Sequence, residues 1–586
     1  MKGFTLKFGT CLIFIIASVI SSAARDGFVN DTTMACKYLR ERGEVYFSFK
    51  VSHEEISRFS LIVSVDNYKD GLVYAYANKK EFEAFLDESL EFTVYTPPGG
   101  WYRDKLPLEK EFVREDNSVK GEWDYYPTYT GYVEMMQGWA DDYPELCEYI
   151  DAGKSVQGRS ILFMKITGNK DYDDPKPRFM YSSTMHGDET VGYILMLRLI
   201  EHLLENYPDD RQIELLLDNI EIWINPLANP DGTYYGDDYE TIETPKRYNA
   251  NNADLNRNFP ALDEPDYTTG NRQPETVIMM DMMEAKMFSL SANMHGGAEV
   301  MNYPWDYWER RHADNDWFEY ICREYADTAQ HYSPSGYMTF LGGVTNGYDW
   351  YSISGGRQDY VTYYTGGREV TMEISEQKHP PPGALPDYWE YNRQALLNYM
   401  EQTMFGIRGR ISDAVTGEAL KAKVEILSYD TDSSCVFTDE STGWYFRLLK
   451  QDSYDIRITS EGYYSDTVRS FPVEDRVMSR LDVQLEPVFT GSRLSDPSEK
   501  ILINIFPVPS GNMINLSIDL PVTSRVEIFL YDNTGRRIKL FYRGLVEGGG
   551  EILSFDTAGI PSGVYIMSIK HNNSLVSRKI LIVKAP

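Results

Sequence analysis

The stretch Tyr181-Ser-Ser-Thr-Met-His-Gly-Asp-Glu-Thr190 decides how the chain is read. It closes a strand-like run, Arg178 to Thr184, and opens an apolar, helix-like run from Thr190 to Asn206. His186 and Glu189 are three residues apart at the strand's end, where two side chains can converge on one point. A neutral imidazole and a carboxylate suit a zinc ion, and a catalytic zinc takes one more protein ligand and keeps an open position. Alone, His-x-x-Glu is a weak signal that a polar surface turn gives more often, so the rest of the chain has to decide.

Around this unit, from Tyr125 to about Thr403, the pattern is α/β. Val133 to Tyr149 suits a helix, Ile161 to Thr167 a strand, and Ile220-Glu-Ile-Trp-Ile-Asn225 alternates before Pro226. Strands interleaved with helices imply a mixed sheet flanked by helices on both faces. Sites in such sheets gather at the carboxyl ends of strands, where His186 and Asn225 lie. A third ligand candidate ends another strand-like run, Ser289-Leu-Ser-Ala-Asn-Met-His-Gly-Gly297. Glycines after His295 let the backbone turn tightly there. The chain has only eight histidines, and two of them close strands in front of glycine.

The remainder divides by composition. Lys2 and Lys7 precede the apolar run Cys11 to Ile20 and the small residues Ser21-Ser-Ala-Ala24, the pattern of a secretory signal over residues 1–24. Residues 25–98 read as a small α+β unit, with strands Glu44 to Val51, Leu72 to Ala77 and Glu91 to Tyr95 and a helix Lys79 to Ser89. Residues 99–124 read as a charged linker that carries Arg103, Lys105, Lys110, Arg114 and Lys120, and 125–403 as the α/β domain. Residues 404–487 read as a small β-sandwich, 488–500 as a polar linker, and 501–586 as a second all-β domain. Four cysteines follow the signal, widely scattered, so no disulfide framework is indicated; a Cys147–Cys322 bridge stays open. Over 586 residues the chain is 42% apolar and carries a formal charge of −32. That is a globular, acidic protein, and a nucleic-acid partner is not expected, because phosphate binding wants a basic face.

The 125–403 segment resembles the zinc carboxypeptidases, and most of all their regulatory (N/E-type) subfamily. The resemblance rests on Gly153-Lys-Ser-Val-Gln-Gly-Arg159, His186-Gly-Asp-Glu189, Asn229-Pro-Asp-Gly232, Asp254-Leu-Asn-Arg-Asn-Phe-Pro260, Ser291 to Gly297 and Glu369-Val-Thr-Met-Glu-Ile-Ser375, in that order. It implies one Zn2+ per chain on His186, Glu189 and His295. It implies Glu373 as the catalytic glutamate and Arg247 as the cation that polarises the scissile carbonyl. Asn256, Arg257 and Tyr351 match the clamp on a substrate's terminal carboxylate. Asp306 and Gln358 match the pocket that selects a basic last residue. Two positions depart from the subfamily: Asp188 stands where Asn is usual, and Arg357, beside the specificity loop, where vertebrate members have Met.

Residues 404–487 are similar to the transthyretin-like domain that follows this catalytic domain, through Asp413-Ala-Val-Thr-Gly417 and Glu461-Gly-Tyr463. Residues 501–586 resemble the C-terminal sorting domain of type IX secretion cargo, through Phe506-Pro-Val-Pro509, Tyr531-Asp-Asn-Thr-Gly535 and Pro561-Ser-Gly-Val-Tyr565. The 25–98 unit is similar to a carboxypeptidase propeptide in position and size. The function implied is a secreted or surface-attached metallocarboxypeptidase that removes C-terminal Lys or Arg. Its partners would be basic peptide or protein C-termini and an outer-membrane secretion machinery. A cell-wall peptide or side-chain amide hydrolase on the same fold, and an exported peptide-binding protein without activity, are the alternatives.

Overall fold

The computed structural model describes residues 22–69, 71–100, 123–168, 174–264, 267–488, 502–508, 510–571 and 574–584. The signal stretch up to residue 21 and most of both linkers lie outside the described residues. The chain forms two compact units.

The first unit opens with a helix, Ser22–Glu41, which the sequence reading did not foresee. A four-stranded antiparallel sheet follows, made of β1 (Val45–Lys50), β2 (Ser64–Lys69), β3 (Leu72–Ala77) and β4 (Phe92–Tyr95), in the order β2-β3-β1-β4. Phe47, Phe49, Phe59, Phe82, Phe85 and Phe92 fill its core. The helix Lys79–Asp87 starts on a reciprocal cap: Asn78 Oδ1 accepts from Glu81 N at 3.1 Å and Glu81 Oε2 accepts from Asn78 N at 2.9 Å. β2, Ser-Val-Asp-Asn-Tyr-Lys, lacks a clean apolar alternation and was missed. A bulge between Val65 and Asn67 leaves Asp66 unpaired in the ladder, and bulges re-aim the residue they release.

The second element of this unit is an eight-stranded mixed sheet: β5 (Cys147–Lys154), β6 (Ser160–Ile166), β7 (Arg178–Ser183), β8 (Glu221–Asn225), β9 (Leu290–His295), β10 (Ala298–Tyr303), β11 (Val344–Asn346) and β12 (Arg368–Ser375). The order is β11-β10-β12-β9-β7-β8-β6-β5, with the central β12-β9-β7-β8 parallel. One face is covered by the helices Val191–Asn206, Asn315–His331 and Leu385–Glu401, whose buried residues join the largest core. The other face packs Phe163, Met180 and Trp223 against Met279, Met280 and Met283 of the helix Pro274–Lys286. The expected helix Val133–Tyr149 is instead a helix over Tyr129–Asp142 followed by β5. Pro144 explains the break, since a proline disfavours helical backbone in the residue before it. Trp123, read as linker, is buried and donates from Nε1 to Glu201 at 2.6 Å. Cys147 and Cys322 are buried thiols with no bridge between them.

Two small sheets follow, one built on Gly406–Asp413 with Trp444–Arg447 and Met478–Arg480. The other contains Lys423–Ile426, Asp452–Thr459 and Asp466–Val473. Most of the second unit is a pair of antiparallel sheets. One holds Leu502–Phe506, Met513–Leu520 and Gly549–Asp556; the other holds Ser524–Asp532, Arg537–Val546, Gly563–His571 and Ser574–Ile582. Ile514, Leu516, Ile518 and Leu520 alternate into its core opposite Val526, Ile528 and Leu530. No helix among the described residues is long and apolar enough to cross a membrane.

Candidate metal centre

Strand register brings the central groups together. β7 and β12 both pair with β9, all three parallel, so their carboxyl ends lie side by side. His295 ends β9, and its register partner on β12 is Glu373. His186 follows β7 after a sharp exit in which Thr184 takes φ +59°. A branched residue rarely adopts that backbone. Here Thr184 Oγ1 donates to the Glu189 carbonyl at 3.1 Å and the Thr184 carbonyl accepts from Asn229 N at 3.1 Å. Gly187 is obligatory for packing: a Cβ there would lie 2.3 Å from the Gly232 carbonyl carbon and 2.6 Å from the Lys246 carbonyl oxygen.

His186, Glu189 and His295 are all buried, and their ligand atoms lie within 4.8 Å of one another. The two Nδ1 atoms face each other at 3.1 Å, with Glu189 Oε1 3.0 Å from His186 Nδ1 and Oε2 2.8 Å from His295 Nδ1. The outer ring nitrogens are both engaged. His186 Nε2 meets Asp254 Oδ1 at 3.1 Å, and His295 Nε2 faces the Asn293 amide at 2.6 Å. Outer partners of this kind fix ring orientation in metal sites. Two imidazoles and a carboxylate, converging with their inner atoms, fit zinc. Beside them Glu373 Oε2 is buried and has no hydrogen-bond partner among the described residues.

Charge is dense here. Burial and Arg247 pull the His186 pKa down, but Glu189 and Asp254 outweigh them and hold it above its usual value. Burial pushes His295 down to about 4 against the pull of Glu189. Burial would raise Glu189, yet His186, Lys378 and His295 hold it well below the usual carboxylate range. Glu373 is pushed well above that range by burial and by Glu189. A divalent cation at the three ligands would draw it back down, since a bound ion is the largest local charge in such a site.

A single cavity is lined by His186, Glu189, Arg247, Asn256, Arg257, His295, Asn302, Asp306, Tyr351, Thr371, Glu373 and, from the N-terminal sheet, Asp66. Arg247 Nε donates to Asp254 Oδ2 at 3.1 Å, and its Nη1 to Asp66 Oδ1 at 2.9 Å. Arg257 Nη2 donates to the Val65 carbonyl at 2.8 Å, and Tyr351 Oη to the Asp66 carbonyl at 3.1 Å. Ser64 Oγ hydrogen-bonds Asp254. Two of the three residues matched to the carboxylate clamp, Arg257 and Tyr351, are therefore engaged by the main chain of β2, while Asn256 Oδ1 accepts from Arg357 N at 2.9 Å. Asp188, the departure from Asn, accepts from Tyr76 Oη of β3 at 2.6 Å; burial, with Glu189 and Glu44, raises its pKa to about 6.

At the other end of the cavity Asp306 Oδ1 accepts from Asn302 Nδ2 at 3.1 Å and Gln358 Nε2 at 2.9 Å. Among the described residues no salt bridge reaches it, and burial raises its pKa to about 6 although Asn302 and Arg257 oppose the shift. Arg357 does not neutralise it. Its Nε and Nη2 grip Glu369 Oε1 and Oε2, both at 2.9 Å, and both side chains are fully buried.

The sequence reading missed Asp66, Asp254, Asn302 and Lys378. Asp254 sits inside a quoted motif; the others had no local signal. Two other motifs hold each other: Asp231 accepts from Arg159 Nη1 at 2.7 Å and Ser155 Oγ at 2.9 Å. Asn229 ties the His186 loop to the Arg247 segment, donating to the carbonyls of Met185 at 3.1 Å and Arg247 at 3.3 Å.

Comparison with known proteins agrees with this geometry. Residues 132–395 match the family model for zinc carboxypeptidase, and residues 504–584 match that for the secretion system C-terminal sorting domain, which marks a protein for secretion or display at the cell surface. Carboxypeptidase M of Mus musculus is 34% identical over 57% of this chain and 78% of its own length. Carboxypeptidase D of Homo sapiens is 35% identical over 62% of this chain, but the match spans about a quarter of that relative's length (26%). Among solved structures, a carboxypeptidase A from Helicoverpa armigera aligns with a TM-score of 0.48 at 20% identity, covering 61% of this chain and 96% of that one. With one zinc site formed by His186, Glu189 and His295 and a relative matched over most of its length, this chain belongs to the zinc carboxypeptidase family.

Proposed function

We propose that the protein is a zinc-dependent carboxypeptidase that hydrolyses the last peptide bond of peptides or proteins ending in Lys or Arg. The observation that carries the reading is one cavity with three parts: the His186–Glu189–His295 centre beside Glu373, a cationic clamp at Arg257, and the Asp306 carboxylate, which takes hydrogen bonds from two neutral amides and, among the described residues, no ion pair. Zinc, when bound, supplies a Lewis acid for the scissile carbonyl and makes water a competent nucleophile near neutral pH. Glu373 takes a proton from the attacking water and returns it to the leaving amine. Arg247 donates to the carbonyl oxygen as it gains charge. Arg257, with Asn256 and Tyr351, holds the terminal carboxylate through a guanidinium fork that matches it bidentately. Asp306 receives the basic side chain, and Gln358 orients it. An apolar last residue would leave that carboxylate buried and unpaired, which is the source of discrimination.

Glu373→Gln is expected to reduce turnover by at least about a hundredfold while zinc content stays at one per chain. His186→Ala should lose the metal as well, because a ligand is gone. Near-normal kcat in the Glu373→Gln protein would refute the assignment.

Two further parts of the reading concern the flanks. The N-terminal sheet acts as a latency domain, since β2 engages Arg257 and Tyr351 of the clamp; the charged linker within residues 99–124, with its five scattered Lys and Arg, is where cutting would release it. Residues 501–586 direct passage across an outer membrane after residues 1–24 have directed export. Deleting 501–586 should leave the protein inside the outer membrane, and normal appearance at the surface or in the medium would sink that part.

A further inference from the structure

One cation at the metal centre has no role in the machinery described above. Lys378 lies three residues past the end of β12 and is buried, 4% exposed. Its carbonyl accepts from Thr190 N at 2.9 Å, which pins its main chain to the start of the Val191–Asn206 helix. Its stem runs over Gly297, at φ +119°, where a Cβ would meet Cε at 3.1 Å and Nζ at 3.3 Å. The second glycine after His295 thus clears the path by which Lys378 reaches the ligands.

At the end of that path Nζ donates to Glu189 Oε1 and to Asp66 Oδ1, both at 2.6 Å. The same Asp66 oxygen accepts from Arg247 Nη1 at 2.9 Å. Burial opposes charge on Lys378, but Asp66, Glu189 and Asp188 keep its pKa well above the usual lysine value. One anionic oxygen is therefore held between two buried cations, against a metal ligand. A carbonyl oxygen needs the same surroundings when it becomes an oxyanion, because fixed charges in a dry site act without reorganising.

We infer that Lys378 is a catalytic residue that donates, together with Arg247, to the oxygen of the scissile carbonyl, the place Asp66 Oδ1 fills while β2 lies in the site. In the step it serves, a water O–H bond breaks and a C–O bond forms. The water proton goes to Glu373 and the carbonyl π pair moves onto the oxygen that Arg247 and Lys378 share. On collapse that pair re-forms the carbonyl, the C–N bond breaks and Glu373 returns the proton to nitrogen.

The inference rests on the peptidase reading, and its test separates the two. Lys378→Met, Lys378→Gln and Lys378→Arg are compared with wild type in the full chain, before and after cutting within residues 99–124. Three quantities are read: kcat and KM on an Arg-terminated peptide, zinc per chain, and the inhibition constant of a phosphinic peptide, a stable tetrahedral anion. Met and Gln should lower kcat by about 10²–10³ with KM within about threefold, the loss typical of removing one oxyanion donor. Zinc should stay at one per chain, and the phosphinic peptide should weaken by the same factor as kcat/KM. Arg should keep most of the activity and, should Met fail to fold, still sets the comparison with Gln. Unchanged kcat, a rise in KM alone, loss of zinc, or unchanged phosphinic affinity would each overturn the role. A wild type that releases no C-terminal residue refutes the peptidase reading beneath it.

Discussion

Two carboxylates look into the same cavity from different parts of the chain, Asp66 and Asp306. Asp66 is matched by buried cations, Arg247 Nη1 at 2.9 Å and Lys378 Nζ at 2.6 Å. Among the described residues the Asp306 side chain accepts hydrogen bonds from the amides of Asn302 and Gln358 and makes no ion pair, with Arg257 acting on it only at longer range. A buried carboxylate that is fully paired belongs to a closed contact. One left with neutral donors is costly and is waiting for a cation to arrive from outside. In the proposed reading the first is the lock and the second the specificity pocket.

The largest effect expected is on the lock. Breaking a buried ion pair by removing one partner costs about 3–5 kcal/mol, and each 1.4 kcal/mol is about a tenfold change in an equilibrium. Asp66→Ala in the uncut chain should therefore raise activity on a small Arg-terminated peptide by about 10²–10⁴, if β2 is what closes the site. Cutting within residues 99–124 should reach at least the same level. Equal activity of uncut, cut and Asp66→Ala protein would break the comparison and leave the N-terminal sheet a spacer or folding aid.

The effect on the pocket is smaller. A hydrogen bond to a charged group is worth about 1.5–3 kcal/mol, so Asp306→Ala should lower the ratio of kcat/KM for Arg over Leu termini by about 10–10². Zinc content should not change. The gentlest version is a titration. Burial raises the Asp306 pKa to about 6, so the pocket is anionic above that pH and neutral below it. The Arg-over-Leu ratio measured on free enzyme should be high at neutral pH and fall as pH drops through about 6. A ratio flat from pH 5 to 8 would mean the selectivity lies elsewhere. Arg357, the departure beside the specificity loop, is spent on Glu369 and does not pair with Asp306.

The sequence by itself determined what depends on neighbouring residues. The alternation in Ile220 to Asn225 and the apolar run after Thr190 announced a strand and a helix, and both formed within a residue of the reading. The metal ligands were legible because they end a strand or follow one closely, His295 at the end of β9 and His186 and Glu189 just past β7, and parallel strands place their ends together. Tertiary structure alone decided what meets those ligands. β2 carries little alternation because it is buried partly against another element, so its pattern had no local period to show. Lys378 and Asp66 are 312 residues apart, and nothing near either residue says that the lysine will bridge Asp66 and Glu189. A sheet's periodicity is written along the chain, but electrostatic pairing acts through space and is set only once the packing has brought the charges within reach.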